Sequence, residues 1–252
     1  MADWFRASPD PSVIADFSKL SRLTLRGGEL LLEICAFDPA DAVLAADSGA
    51  DRIELCTDYL AGGLTPPYPW IEQLKQEIDV PLVVMVRPRE GDFFFDDNDW
   101  QSMLRSAGVL VNAGADALVF GGLTPSGELA IDQCRRLIES VDVPCVLHRA
   151  FDEIGEPFEA LEAAIEVGFS RVLTAWGSKD LDLLTELKNS AGTRIDLMPG
   201  GGIRYANAHK YLDLGFSSLH SAAITDSTRG TDAVEVCALK KLMDSYQDRY
   251  NN

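Results

Sequence analysis

The chain has 252 residues, 46% of them hydrophobic, a length and apolar content that suit one large domain of barrel size. Lysine and arginine number 22 against 40 acidic residues, for a formal net charge of −18 and a sequence pI near 4.4. That balance argues against nucleic acid and anionic membrane surfaces as partners, because both need a basic patch. The acidity is spread along the chain and reads as a solvating surface.

Residues 1–29 read as an N-terminal extension. They contain no hydrophobic core of signal-peptide type, and Asp3, Asp10 and Asp16 sit poorly in a mitochondrial presequence. Val13–Leu25 fits either an extra helix that plugs a barrel bottom or a disordered segment. Residues 30–252 carry the domain. A pattern ending in Glu-x-Cys then occurs twice, as Leu31-Leu32-Glu33-Ile34-Cys35 and Arg52-Ile53-Glu54-Leu55-Cys56. Strand alternation puts Glu33 with Cys35, and Glu54 with Cys56, on one face, opposite Leu32, Ile34, Ile53 and Leu55. Charged groups inside a sheet are costly unless paired or liganded, so two acids and two thiols side by side point to a site.

Further short aliphatic runs follow at Leu82–Arg87, Ala117–Phe120, Cys145–Arg149, Arg171–Ala175, Ile195–Met198 and Ser218–Ser221. Helical periodicity lies between them, over Pro39–Ser48, Pro69–Glu77, Asp99–Ala113, Ile131–Ser140, Pro157–Val167 and Leu181–Asn189. Gly49, Gly114, Gly168 and Gly215 each fall between a helix and the next strand, where a left-handed C-cap returns the chain. Eight such units predict an α/β fold, a single (β/α)₈ TIM-type barrel. A doubly wound sheet is the alternative, but the turn after the first strand, Ala36-Phe37-Asp38-Pro39, is not a dinucleotide turn. No apolar run approaches the ~18 residues needed to span a bilayer. Five scattered cysteines fit free thiols in a reducing cytoplasm better than a disulfide framework.

Barrel chemistry gathers at the C-terminal strand ends. Cys35 and Cys56 end neighbouring strands about 4.8 Å apart, close enough to share a soft metal such as Cu(I). Met85 offers a thioether but reads first as core. Glu33 and Glu54 form a candidate acid/base pair, with Arg87 expected either to neutralise them or to hold an anion. His148, Arg149 and Asp152 combine an imidazole, a cation and a carboxylate past the fifth strand, which makes His148 and Asp152 further candidate catalytic groups and Arg149 a candidate anion ligand. Gly200, Gly201 and Gly202 after the seventh strand, with Ser221 after the eighth, fall where many barrels hold a phosphate. Gly62-Gly63-Leu64-Thr65-Pro66-Pro67 reads first as a rigid turn. No strand ends in lysine, which argues against Schiff-base chemistry, Lys179 being the one weak exception.

Taken together, Leu32-Glu33-Ile34-Cys35, Gly49 to Cys56, Gly62-Gly63-Leu64-Thr65-Pro66, Met85-Val86-Arg87-Pro88-Arg89 with Gly91-Asp92-Phe93, His148 to Asp152, Arg171-Val172-Leu173-Thr174, Met198 to Ile203 and Leu219-His220-Ser221 resemble the copper homeostasis (CutC) family of barrels. The resemblance runs from about residue 30 to 224. It implies a cytoplasmic (β/α)₈ protein that controls copper homeostasis, often as an oligomer, here expected as a homodimer. It also implies Cys35 and Cys56 as Cu(I) ligands, with Glu33, Glu54, Arg87, His148, Arg149 and Asp152 as the polar cluster of the mouth. The chain departs from the pattern at Ala175-Trp176-Gly177, where a smaller turn is usual, in the short segment after Ser221, and in its first 29 residues. An enzyme acting on a small anionic or phosphorylated substrate by Glu/His acid–base chemistry, and a regulatory barrel with a structural rim, stand as alternatives.

Overall fold

The computed structural model describes residues 29–226 and 230–250. The proposed helix over Val13–Leu25 lies outside them. Eight strands form one parallel sheet: β1 (Leu31–Ala36), β2 (Arg52–Leu55), β3 (Leu82–Met85), β4 (Ala117–Phe120), β5 (Cys145–Leu147), β6 (Arg171–Thr174), β7 (Asp196–Pro199) and β8 (Ser218–Ser221). Helices follow as α1 (Pro39–Asp47), α2 (Tyr68–Glu77), α3 (Asp97–Asn112), α4 (Ile131–Ile138), α5 (Pro157–Val167), α6 (Leu181–Ala191), α7 (Tyr205–Asp213) and α8 (Ala233–Tyr250). Strand order runs from β7 down to β1 and then to β8, so neighbours in sequence are neighbours in space. A doubly wound sheet has no such order. The fold is a TIM-type (β/α)₈ barrel. Among the described residues no backbone ladder joins β7 to β8, so closure is nearly complete. Ser218 Oγ spans that seam, donating to the Asp196 carboxylate at 3.3 Å.

Local chemistry sets the element ends. Asp38, Asp96 and Asp180 cap α1, α3 and α6 by accepting from the backbone N–H three residues on, at 2.8, 2.8 and 2.9 Å. The expected turn at Ala36–Pro39 is thus a helix entry, with Pro39 in the first turn. Gly49, Gly114, Gly168 and Gly215 all carry positive φ, as their C-cap reading requires. Several strands stop short of the expected end: β3 ends at Met85 and β5 at Leu147, so Arg87 and His148 lie beyond the strands and Arg149 opens a short 3-10 helix, Arg149–Glu153.

Alternation divides the core. Leu32, Ile34, Ile53 and Leu55 are fully buried in the layer between sheet and helices, each worth about 1.5–3 kcal/mol of burial. Inside the barrel, Cys35, Cys56, Val83, Met85, Ala117, Val119 and Val146 form a separate apolar cluster. Much of the rest of the lumen is charged. It holds Glu33, Arg52, Glu54, Arg171 and His220, all buried. The apolar part comes chiefly from β3–β5, and the cysteines stand where the two parts meet.

Candidate functional site

The β1–β2 register pairs Glu33 with Arg52 and Cys35 with Glu54. The β1–β8 register pairs Glu33 with His220. The two acids therefore sit one step apart along the axis rather than face to face. Glu33 accepts through Oε2 from Arg52 Nε, and its Oε1 lies 2.7 Å from His220 Nδ1. The far ring nitrogen, Nε2, lies 3.9 Å from Glu54 Oε1. Arg52 is completely buried and also places a guanidinium N–H 3.5 Å from Met198 Sδ. A second pair, Arg171 Nε to Asp196 Oδ2 at 2.5 Å, joins the buried Arg171 to a partly exposed carboxylate.

Arg87 does not neutralise the glutamates, the first of its two expected roles; Arg52 pairs with Glu33, and His220 is the cation nearest Glu54. The reason is geometric. β3 ends at Met85, and Arg87 turns to hold the mouth loops, donating to the carbonyls of Ala61 (2.8 Å), Gly63 (3.3 Å) and Gly91 (2.7 Å).

Cys35 Sγ lies 3.7 Å from Cys56 Sγ, and Cys56 Sγ lies 3.7 Å from Glu54 Oε1. The thiols form a donor chain that ends on the carboxylate, and both cysteines are free and buried. Ligand atoms of Cys35, Glu54 and His220 lie within 4.8 Å of one another. Cys35 is the corner shared by the sulfur pair and this triad. The outer oxygen of Glu54, Oε2, has no partner among the described residues.

Protonation follows from these contacts. Burial alone would raise Glu33, but the Arg52 guanidinium and His220 hold its carboxyl well below the ordinary range. Burial raises Glu54, with Glu33 adding to the effect and His220 opposing it. Burial would lower His220, yet Glu54, Cys35 and Glu33 raise it well above an ordinary histidine. The hydrogen bond to Cys56 and burial push Cys35 up strongly. The bond from Cys35 lowers Cys56, but burial and Glu54 outweigh it and leave that thiol at about 11. Two carboxyls driven apart beside an imidazole form an acid/base pattern, and two thiols beside the same imidazole form a soft-metal pattern.

Other expected residues are placed differently. The Asp152 carboxylate is saturated: it accepts from Thr174 Oγ1 (2.6 Å), the Ala175 N–H (3.0 and 3.1 Å to its two oxygens) and Arg149 Nε (3.0 Å). It rivets the loop after β5 to the loop after β6. Arg149 is about half exposed, with only Nε engaged by that contact. Gly200 donates its N–H to Thr174 O at 2.7 Å. Ser221 Oγ donates to Ile203 O at 2.7 Å and accepts from Ala223 N at 2.9 Å. Arg204 NH1 lies 3.2 Å from the same hydroxyl. Gly201 and Gly202 have positive φ. Arg52 is the functional residue that the sequence reading leaves out of the site, and His220 stands at the rim in that reading without a catalytic or ligand role. The alternation that turns Glu54 inward also turns Arg52 inward, and a closed barrel brings β8 to β1.

The model of the CutC family matches residues 30–225. The chain belongs to the CutC family. A CutC family protein of Treponema denticola is 40% identical over 201 residues, covering 77% of this chain and 81% of that protein. The mouse copper homeostasis protein cutC homolog is 37% identical over 210 residues, 81% of this chain and 77% of its own length. The human homolog is 38% identical over 199 residues, covering 77% and 73%. A crystal structure of the CutC protein from Streptococcus agalactiae superposes with a TM-score of 0.73 at 28% identity, over 78% of this chain and all of that one. Dihydrodipicolinate synthase of Bacillus anthracis matches at TM-score 0.60 and 13% identity, over 90% and 78% of the two chains, which shows the shared barrel alone. No helix among the described residues of this CutC protein is long and apolar enough to cross a membrane.

Proposed function

We propose that this protein binds Cu(I) in the cytoplasm as part of copper homeostasis, with Cys35 and Cys56 as the sulfur ligands and His220 as the adjoining nitrogen donor. The observation that carries the reading is the sulfur separation of 3.7 Å. Two thiolates held at about 2.3 Å from one ion, at tetrahedral to trigonal angles, lie about 3.8–4.0 Å apart. The pair therefore fits a single soft ion after a shift of a few tenths of an ångström.

The surroundings support the same chemistry. Thiolates select Cu(I) over hard cations. His220 is fixed from behind by Glu33, itself held by Arg52, and such a carboxylate–imidazole arrangement orients the far nitrogen of a metal-ligating histidine. Each thiol, and the His220 imidazole that its acidic neighbours keep protonated, gives up a proton as its bond to copper forms, so loading releases protons. The names of the mouse and human relatives point to the same metal.

Anaerobic Cu(I) titration against a competing chelator tests this reading. We expect one tight equivalent in the reduced wild type, and a loss of at least about 100-fold in affinity for Cys35→Ser with Cys56→Ser. His220→Gln is expected to cost about 10–100-fold. Equal affinity and stoichiometry in all three proteins would refute it.

A further inference from the structure

Arg87 is buried, 5% exposed, and its three acceptors at Ala61, Gly63 and Gly91 are all neutral carbonyls. Among the described residues it makes no ion pair with a carboxylate, and its Nε has no acceptor. His148 is also buried, 3% exposed. Its Nδ1 accepts the Ala150 N–H at 3.2 Å, which leaves the ring proton of the neutral imidazole on Nε2. That Nε2 has no acceptor either. The ring of Phe93 touches both groups: the Arg87 guanidinium carbon lies 4.8 Å from its centroid, and the two ring centroids of Phe93 and His148 are 4.8 Å apart.

Two buried N–H donors, from the ends of β3 and β5, thus flank one aromatic ring in the mouth. An unmet buried donor costs about 1–3 kcal/mol, and a buried charge without a counter-charge costs more. Unmet groups gathered at one place are the mark of a site whose ligand supplies the missing acceptors.

We infer that the unmet N–H groups of Arg87 Nε and His148 Nε2, both beside the Phe93 ring, are the donors that hold a small monoanion, the carboxylate of an organic acid, in the barrel mouth. Two oxygens meet two N–H donors, and the single guanidinium matches one negative charge. A phosphate dianion would be under-compensated there, in a chain whose net charge is −18. Burial and the nearby Arg87 charge hold the His148 imidazole down at about 3, so it stays neutral and supplies a hydrogen bond rather than a second charge. The site adjoins the thiol pair through Gly63. That residue accepts from Arg87, and a Cβ placed on it would lie 3.1 Å from Cys56 Sγ. The inference does not depend on copper, since neither donor is a thiol or a proposed ligand.

The test is a titration of the metal-free wild type with acetate and, separately, with inorganic phosphate. The readout is the ring ¹⁵N resonances of the three histidines, His148, His209 and His220. We expect acetate to move the His148 Nε2 resonance saturably while His209 stays in place, with phosphate weaker by at least about tenfold, or 1.4 kcal/mol. Arg87→Lys keeps the charge and loses the Nε–H, and is expected to weaken acetate about tenfold or more while melting cooperatively. Cys35→Ser is expected to leave acetate binding unchanged, which separates this result from the copper reading. The inference is overturned by a His148 resonance that does not respond to acetate in protein with unaltered His209 and His220 signals. Phosphate binding as tight as acetate would overturn it equally.

Discussion

Glu33 and His220, 187 positions apart in the chain, meet across the β1–β8 pairing, with His220 Nδ1 2.7 Å from Glu33 Oε1. The other oxygen of the same carboxylate receives Arg52, which has no solvent contact. Glu33 is therefore the joint between a structural cation and the imidazole that faces the thiols. Glu33→Gln keeps the shape and removes the charge, leaving Arg52 under-compensated in the lumen. We expect a loss of about 3–5 kcal/mol in chemical denaturation. Glu33→Leu combined with Arg52→Met should cost less than the sum of the single changes. A Glu33→Gln protein within about 1 kcal/mol of wild type would contradict this role.

His148 gives the acid dependence of stability a definite sign. Its folded value of about 3 lies below the ordinary 6.5, with burial the first cause and Arg87 the second. The unfolded chain then binds the extra proton first, so stability falls as pH drops from about 6.5 towards 3, by up to about 1.4 kcal/mol per pH unit. Glu33, depressed in the fold, adds to the loss below its unfolded value of about 4.3. Denaturation curves across that window should show a shallower slope for His148→Gln than for wild type. Parallel slopes would remove His148 from the account.

The glycine turn after β7 separates a packing role from a conformational one. Gly201 and Gly202 both carry positive φ, +72° and +89°. A Cβ on Gly201 would stand 2.3 Å from the Ala175 Cβ, whereas one on Gly202 meets nothing within 4 Å. Either alanine costs about 1–2 kcal/mol for the backbone conformation, and Gly201→Ala adds roughly 1–3 kcal/mol of collision. Adding Ala175→Gly to Gly201→Ala should recover part of the second cost and none of the first. Equal melting losses for the two single alanines would show that Ala175 yields freely.

Much of the fold could be read in the chain because its signals are local. Alternation at Leu31–Cys35 and Arg52–Cys56 sorted inner from outer faces, and Gly49, Gly114, Gly168 and Gly215 marked four helix ends by the one backbone conformation that they alone adopt cheaply. The site was less legible where it depends on closure and register. His220 joins Glu33 only because β8 docks on β1, and the one-step register puts Glu54 level with Cys35 rather than with Glu33. Arg87 and Asp152 read as site groups from their place at strand ends, but their loop contacts are not legible there: Arg87 serves three carbonyls, and Asp152 is filled by Thr174, Ala175 and Arg149.

The central claim is that the Cys35 and Cys56 sulfurs, with His220 beside them, take one soft ion. Copper K-edge X-ray absorption on the reduced protein loaded with one equivalent of Cu(I) reads the ligand shell directly. We predict two sulfur scatterers and one imidazole nitrogen in the wild type, one sulfur in Cys56→Ser, and no imidazole signature in His220→Gln. A shell without sulfur, or one that neither substitution alters, would contradict the claim.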